Sequence, residues 1–591
     1  MGKILKQKSA LIIGIGIFIL LYIVPLGVRP MSIPDEFRYA EIPREMLETG
    51  NWIVPHLDGL RYFEKPVLGC WLNAIAIAIF GENTFAVRFP SAIAVGLTAL
   101  LLFVFVRKFS EDDLMALLTA AIFLLSLEVL AIGTFCVLDS VLSLFVTSSI
   151  VFFYWAYKED KASKKNILLA LAGLSCGLAF LTKGFLALVV PMIVIIPFMF
   201  WQGRLKTFLR TIWIPLIVMP LVVVPWSIAI HFREPDFWRY FFWVEHVDRF
   251  ISPNGGQHPY PFWFYIPVII GGAMPWTFLI GPVVQGLKSV DWKAPMFRLV
   301  LCWLGLPFLF FSVSSGKLGT YILPCFPPLA ILTSMGLLNY FSGEKRKAFT
   351  IGDYTMVAII VILIILLLLH QTMPAGSKLY GQQETWKIAL VVIAFMTWVV
   401  FLHFAGRAAD FRRKLAFFAV GPAIFMFCIH FIIPEQLVQK KTPGEFLRQH
   451  QDRINQDTLL VSDNYLAPAV CWNYKRNDVY LLDRTGEFTY GLGYDDSKHR
   501  LLDIDHLIEL IMENTNKKCV TLITFTKRYI EYEHLLPKPA FKEIHHGFVF
   551  VQFVPPIPVT TEITMVPAMP HYNSNNSSDR SGLSKQQLQL L

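Results

Sequence analysis

The chain has 591 residues, 55% of them hydrophobic and only 16% charged, with a mean hydropathy of +0.53. Soluble domains are nearer ~45–50% apolar, and many runs here reach the ~20 residues that cross a bilayer, which excludes a water-soluble globular protein. A formal net charge of +9 would suggest a nucleic-acid partner in a soluble chain, but here it is explained by basic loops on one side of a membrane, so no nucleic acid is expected.

The chain starts MGKILKQKSALIIGIGIFILLYIVPLGV, with basic residues ahead of an apolar run. That run is too long for an ordinary signal sequence and has no small-residue cleavage site, so it reads as an uncleaved first span. The next stretch is the most charged part of the chain. Asp35, Glu36, Arg38, Glu41, Arg44, Glu45, Glu48, Asp58, Arg61, Glu64 and Lys65 all fall between residues 33 and 66. Such a segment is costly in hydrocarbon and must sit in water or in a polar cavity beside the membrane. Its EFRYAEIPREMLE portion is expected to be partly helical, and Asp35 and Glu36 would then complement the dipole of a first turn. Residues 67–80, VLGCWLNAIAIAIF, are too few to span and suit a helix lying on the membrane surface.

Thirteen spans are expected, near 9–28, 86–106, 114–134, 137–157, 166–182, 185–201, 211–231, 263–283, 299–315, 320–341, 351–370, 386–405 and 415–434. Lysine and arginine alternate between the loops that join them. One side collects clusters such as Lys158, Lys161, Lys164 and Lys165, or Arg407, Arg412, Arg413 and Lys414. Short loops on the other side carry about one basic residue each, namely Lys183, Lys317 and Lys378. The positive-inside rule then puts the N-terminus in the cytoplasm. The 29–85 loop, the 232–262 loop and everything after Pro434 face outward.

Three isolated charges interrupt apolar sequence on that outer side. Asp139 stands in CVLDSVLS, Lys183 in LAFLTKGFLALVV and Lys317 in SVSSGKLGTYILP. A lone charge there is expensive, although lysines near helix ends also snorkel to the interface. The 232–262 loop mixes aromatic rings with Arg233, Arg239, Glu245, His246, Asp248, Arg249 and His258. That composition suits both interfacial anchoring and a lipid-borne polar substrate. Glu64 and His258 could share a divalent metal, the alternative being a hydrogen-bonded structural histidine. No Cys-x-x-Cys or Cys/His spacing marks a structural zinc site, and free thiols are expected over a Cys471–Cys519 disulfide.

Residues 435–557 read as a small α/β domain, with strand-like runs at 458–463, 479–483, 519–525 and 547–554 and a helical pattern at 502–515. The remainder, 558–591, is rich in Pro, Ser and Asn and reads as a disordered tail.

The motifs PDEFRYAEIPREML, GLRYFEKP, AIGTFCVLD, LTKGFLALVVP, REPDFWRYFFWVEH, FSVSSGKLGTYIL and RTGEFTYGL occur in this order. Together they resemble the membrane glycosyltransferases that use polyprenyl-phosphate sugars. That is the GT-C group, which contains the protein O-mannosyltransferases. The closer resemblance is to the bacterial lipid A transferases for 4-amino-4-deoxy-L-arabinose, glycosyltransferase family 83, and runs from about residue 10 to 555. It implies a GT-C transmembrane catalytic domain over 1–434 and a periplasmic α/β domain over 435–557. The donor would be the amino sugar on undecaprenyl phosphate and the acceptor lipid A, at the bacterial inner membrane.

By the same resemblance Asp35 matches an essential loop acid, and Tyr62, Glu64 and Lys65 match a segment near the donor phosphate. Asp139, His258, Tyr321 and Glu487 fall in cavity-lining segments. Electrostatics alone adds Arg44, Arg61, Lys183 and Lys317 as cations for phosphate. Asp35 and Asp139 are the expected catalytic acids, one of them binding the sugar ammonium or stabilising oxocarbenium character. The alternatives are another polyprenyl-phosphate-sugar glycosyltransferase acting on protein or lipid, or a transporter or flippase. Against the last, no internal repeat is visible.

Overall fold

A computed structural model describes residues 12, 14–248, 259–343, 347–374, 378–514 and 517–553. Among these, nine helices are long and apolar enough to cross a bilayer. Two further crossings are bent pairs, Asp113–Leu124 with Leu127–Gly133 at 63° and Phe262–Gly272 with Trp276–Leu287 at 93°. Leu186–Trp201 is an apolar helix of 16 residues, and the described part of the first apolar run, Gly14–Gly27, is helical. Each of the thirteen predicted segments is therefore helical over its described residues, but three of them are not single straight crossings. The two breaks support each other, because the Leu127 amide freed at one donates to the Met274 carbonyl at the other, at 3.1 Å. Pro275 has no amide to continue the second helix. The predicted tail, 558–591, lies outside the described residues.

The charged stretch after the first apolar helix folds into the Asp35–Thr49 helix, with Asp35 and Glu36 in its first turn. It stops at Gly50, whose φ of +68° is the left-handed conformation that ends helices. A short hairpin follows, β1 (His56–Leu57) against β2 (Leu60–Arg61). The Leu68–Phe80 helix has 13 residues, too few to span, and Asn73 ties it inward by donating to the Tyr39 carbonyl at 2.9 Å.

The C-terminal part carries a six-stranded sheet in the order β5-β4-β3-β6-β8-β7. Here β3 is Leu459–Ser462, β4 Tyr480–Leu482, β5 Leu501–Leu502, β6 Val520–Phe525, β7 Phe541–His545 and β8 Phe548–Phe553. The β5-β4-β3-β6 half is parallel, and β8 and β7 add antiparallel strands at the other edge. The four predicted strands are present, and β5 and β7 are additions too short or too exposed to show in the pattern. All eight cysteines are free thiols.

This sheet domain and the 33–66 stretch share one apolar core. Phe37, Leu57, Leu60, Tyr62 and Phe63 pack in the same cluster as Phe446, Leu466, Val470, Val479, Phe488 and Phe550. Polar contacts add direction. Asp58, fully buried, pairs with Arg500 at 2.7 Å and accepts from the Val479 amide at 3.0 Å. The domain is thus seated on the loop as part of its core.

Candidate active site

The acid pair that opens the loop has divided roles, because successive helical residues point about 100° apart. Glu36 turns into the protein and meets Arg88, which the Thr84–Ser110 helix brings up from the membrane. Arg88 Nε donates to Glu36 Oε1 at 2.6 Å and Nη2 to Oε2 at 2.7 Å, both side chains being fully buried. The remaining guanidinium hydrogens go to the carbonyls of Leu26, Arg29 and Pro30 at 2.9–3.0 Å, and the Cys136 amide donates to Glu36 at 3.2 Å. A buried charge pair endures when its surplus donors and acceptors are met in this way.

Asp35 keeps an open face, with 41% of its side chain exposed. Its partner is Arg38, three residues on, which also pairs with Glu487 from the Gly486–Phe488 turn of the sheet domain. Arg38 therefore joins the loop helix to the domain seated above it, and its guanidinium lies 4.8 Å over the Tyr39 ring. Tyr39, Tyr62 and Glu64 all lie within its electrostatic reach. Glu64 is buried, while the Tyr62 hydroxyl is buried with no hydrogen-bond partner among the described residues. Burial and the nearby carboxylate of Glu64 keep the Tyr62 phenol protonated, Arg38 acting the other way. Lys65 pairs with Glu245 from the 232–262 loop and donates to the Glu64 carbonyl at 2.9 Å.

A second group lies on the membrane side. Asp139 is the first residue of the Asp139–Lys158 helix, where a carboxylate complements the dipole. It accepts from Lys183 Nζ at 2.7 Å, and that ammonium sits 4.6 Å from the Tyr321 ring centroid. The two groups meet at Tyr39, whose hydroxyl senses Arg38, Asp35 and Asp139. Asp35, Arg38, Tyr62, Glu64, Lys65, Asp139, Lys183, Tyr321 and Glu487 thus surround one region between the helical ends and the sheet domain.

Three of the cations expected at a phosphate are engaged elsewhere. Arg44 is six residues past Arg38, on another face of the helix, and directs its guanidinium to Glu41 and Glu48 at 2.6 Å each. Arg61 spans Glu234 at 3.0 Å and Asp496 at 3.1 Å and stacks 4.2 Å from the Tyr494 ring. Lys317 is buried and donates to the backbone carbonyls of Tyr260, at 2.9 Å, and Ser314. In each case the cation takes a nearby carboxylate or carbonyl, and only folding decides which that is. His258 falls outside the described residues, so the Glu64–His258 metal pairing does too. Among the described residues no group of three or more His, Cys, Asp or Glu side chains is arranged to hold a metal. The sequence reading passed over Arg38, Glu245 and the Glu36–Arg88 pair. Of these, only Arg38 left a local signal, its i+3 spacing from Asp35.

A helical membrane body joined to an α/β domain is a fold shared with a solved structure. ArnT from Cupriavidus metallidurans, determined with undecaprenyl phosphate bound, superposes with a TM-score of 0.79 over 92% of this chain and 98% of that one, at 20% identity. The family model for dolichyl-phosphate-mannose-protein mannosyltransferases matches residues 9–241. The protein is a polytopic membrane glycosyltransferase of the GT-C fold.

Its particular family follows from closer relatives. The undecaprenyl phosphate-α-4-amino-4-deoxy-L-arabinose arabinosyl transferase of Shewanella sediminis is 40% identical over 531 residues, 90% of this chain and 95% of that protein. The second such transferase of Proteus mirabilis is 38% identical over 524 residues, 88% and 94% of the two chains. The model of the arabinosyl transferase ArnT C-terminal domain matches residues 438–552. The chain belongs to this arabinosyl transferase family.

Proposed function

We propose that this protein transfers 4-amino-4-deoxy-L-arabinose from undecaprenyl phosphate to phosphate groups of lipid A, at the periplasmic face of the bacterial inner membrane. The observation that carries this is near-full-length identity of 40% to a transferase of that name. The positive-inside alternation of the loops supports an N-terminus in the cytoplasm and a periplasmic sheet domain. Amino-sugar addition gives lipid A positive charge, weakening its attraction for polymyxin and other cationic peptides.

The chemistry asks little proton transfer of the protein. A phosphomonoester has a second pKa near ~6, so at neutral pH the acceptor is already largely a nucleophilic oxyanion. It attacks the anomeric carbon as the bond to the undecaprenyl phosphate oxygen breaks, and the pair of electrons leaves with that phosphate. Cations facing the departing charge supply the main stabilisation, as electrostatic preorganisation does in group transfer generally. Lys65 and Arg38 suit this task, one as a point charge and the other as a fork. Asp35, adjoining Arg38 and half open, suits the developing positive charge on the sugar ring. Tyr62, Glu64 and Glu487 shape and orient this cationic pair, and Asp139, Lys183 and Tyr321 line the membrane side.

Mass spectrometry of lipid A from cells with and without the gene tests the reading. An amino-sugar adduct present only with the gene is expected. Lipid A of identical mass in both strains, with the donor lipid present, overturns it.

A further inference from the structure

Glu128 lies inside a predicted crossing, in the first turn after the bend between Asp113–Leu124 and Leu127–Gly133. An ionisable side chain at this depth is expensive and marks a functional position by default. The structure is built closely around it. A Cβ on Gly272 would come within 2.7 Å of Glu128 Cβ, and one on Gly319 within 3.6 Å of Glu128 Oε1. Gly272 therefore lets its backbone close on the Glu128 stem, and the backbone at Gly319 lies beside the carboxylate. Gly319 opens the Gly319–Cys325 turn, which carries Tyr321. No hydrogen bond or ion pair reaches the Glu128 carboxylate among the described residues, and the side chain is only part-buried, so it is open to a further partner.

The carboxylate adjoins a region already suited to an ammonium ion. Asp139 lies within electrostatic reach of Glu128. Asp139 and the Tyr321 ring together hold the Lys183 ammonium, at 2.7 Å and 4.6 Å. Tyr265, whose hydroxyl donates to the Leu318 carbonyl at 3.1 Å, lies within reach of both Tyr321 and Asp139. Carboxylates and aromatic faces are the two surroundings that favour an ammonium away from bulk water. Lys183 pairs with Asp139, and among the described residues no cation pairs with Glu128.

We propose that Glu128, beside the Asp139–Lys183 pair, is the specificity residue that receives the ammonium group of the transferred amino sugar. This rests on the transferase reading above. It assigns Asp35 to the reacting centre and separates recognition of the amine from the chemistry. A neutral sugar would leave the Glu128 carboxylate desolvated and uncompensated, which is how a polar site rejects an isostere.

The test uses the purified full-length enzyme in lipid nanodiscs with lipid A as acceptor. Two undecaprenyl-phosphate donors are compared, the 4-amino sugar and its uncharged 4-formamido derivative. With Glu128→Gln, kcat/KM for the amino donor should fall about 10- to 100-fold, the range of a lost charge-assisted hydrogen bond. The formamido donor should hold its rate or gain, because the uncompensated charge is gone, while Glu128→Asp should keep most of the preference. Equal losses with both donors, or no loss with either, overturn the inference. Should Glu128→Gln fail to fold, Glu128→Ser must show the same selective loss, and an unchanged donor ratio there overturns it. A wild-type enzyme that uses neither donor overturns the transferase reading, and this inference with it.

Discussion

Arg88 grips Glu36 through two parallel hydrogen bonds of 2.6 and 2.7 Å, and neither side chain reaches solvent. The pair fastens the loop helix to a membrane helix directly behind Asp35. Removing one partner would leave a buried charge uncompensated, at a cost of about 3–5 kcal/mol. Arg88→Ala should therefore lower the unfolding temperature sharply, and Arg88→Lys should recover only part of it, lacking the fork. Thermal unfolding in detergent, followed by tryptophan fluorescence, reads the difference.

Lys65 and Arg61 lie on the same short stretch but should respond differently. Lys65→Ala should weaken donor binding about tenfold or more, since one charge-assisted contact to a phosphate is lost, and should also lower the unfolding temperature, since it breaks the pair with the buried Glu245. Arg61 is engaged by Glu234 and Asp496, the latter exposed. Arg61→Ala should change stability by no more than about 1 kcal/mol and leave donor affinity intact. Titration of both variants with undecaprenyl phosphate checks the contrast.

Asp35→Asn should slow turnover at least about 100-fold, the scale of a lost electrostatic contact to a reacting centre. If Asp35 answers charge on the sugar ring, amino and formamido donors should suffer equally. Its exposed side chain predicts near wild-type folding. Steady-state kinetics with both donors decides, and a loss confined to the amino donor would move amine recognition to Asp35.

Where the sheet domain meets the loop helix, Glu45 is buried, and burial together with the neighbouring Glu41 and Asp58 carboxylates raises its pKa well above the usual range. The Gly59 amide, donating at 3.0 Å, and Arg44 oppose that shift. Burial likewise lifts Asp58 to about 6 against the pull of Arg500. A carboxyl with a raised folded pKa holds its proton more tightly folded than unfolded, so stability falls as pH climbs from ~4 through the raised values. The protein should unfold at a lower temperature at pH 8 than at pH 5.5. Glu45→Gln should flatten that dependence and stabilise the protein at pH 8 by about 1–2 kcal/mol. Unfolding temperatures across pH for both proteins test the sign.

The sequence by itself determined the membrane architecture, the charged outer stretch and the sheet domain. Each is written in local periodicity and in the cost of charge in hydrocarbon, which need no knowledge of neighbours. The same cost made Asp139 and Lys183 stand out, and it marks Glu128 too, though one acid in a long apolar run is easily passed over. Only the tertiary structure decided which charges share a region. Asp35 and Glu36 are adjacent, yet one faces the open region and the other is locked to Arg88. Arg38 and Arg44 share a helix, yet one reaches Glu487 in the sheet domain and the other stays with Glu41 and Glu48. A helix turns its residues about 100° apart, and the partner met in one direction can be 52 residues away, as Arg88 is from Glu36, or in the sheet domain, as Glu487 is. That pairing is a property of packing, and no local pattern contains it.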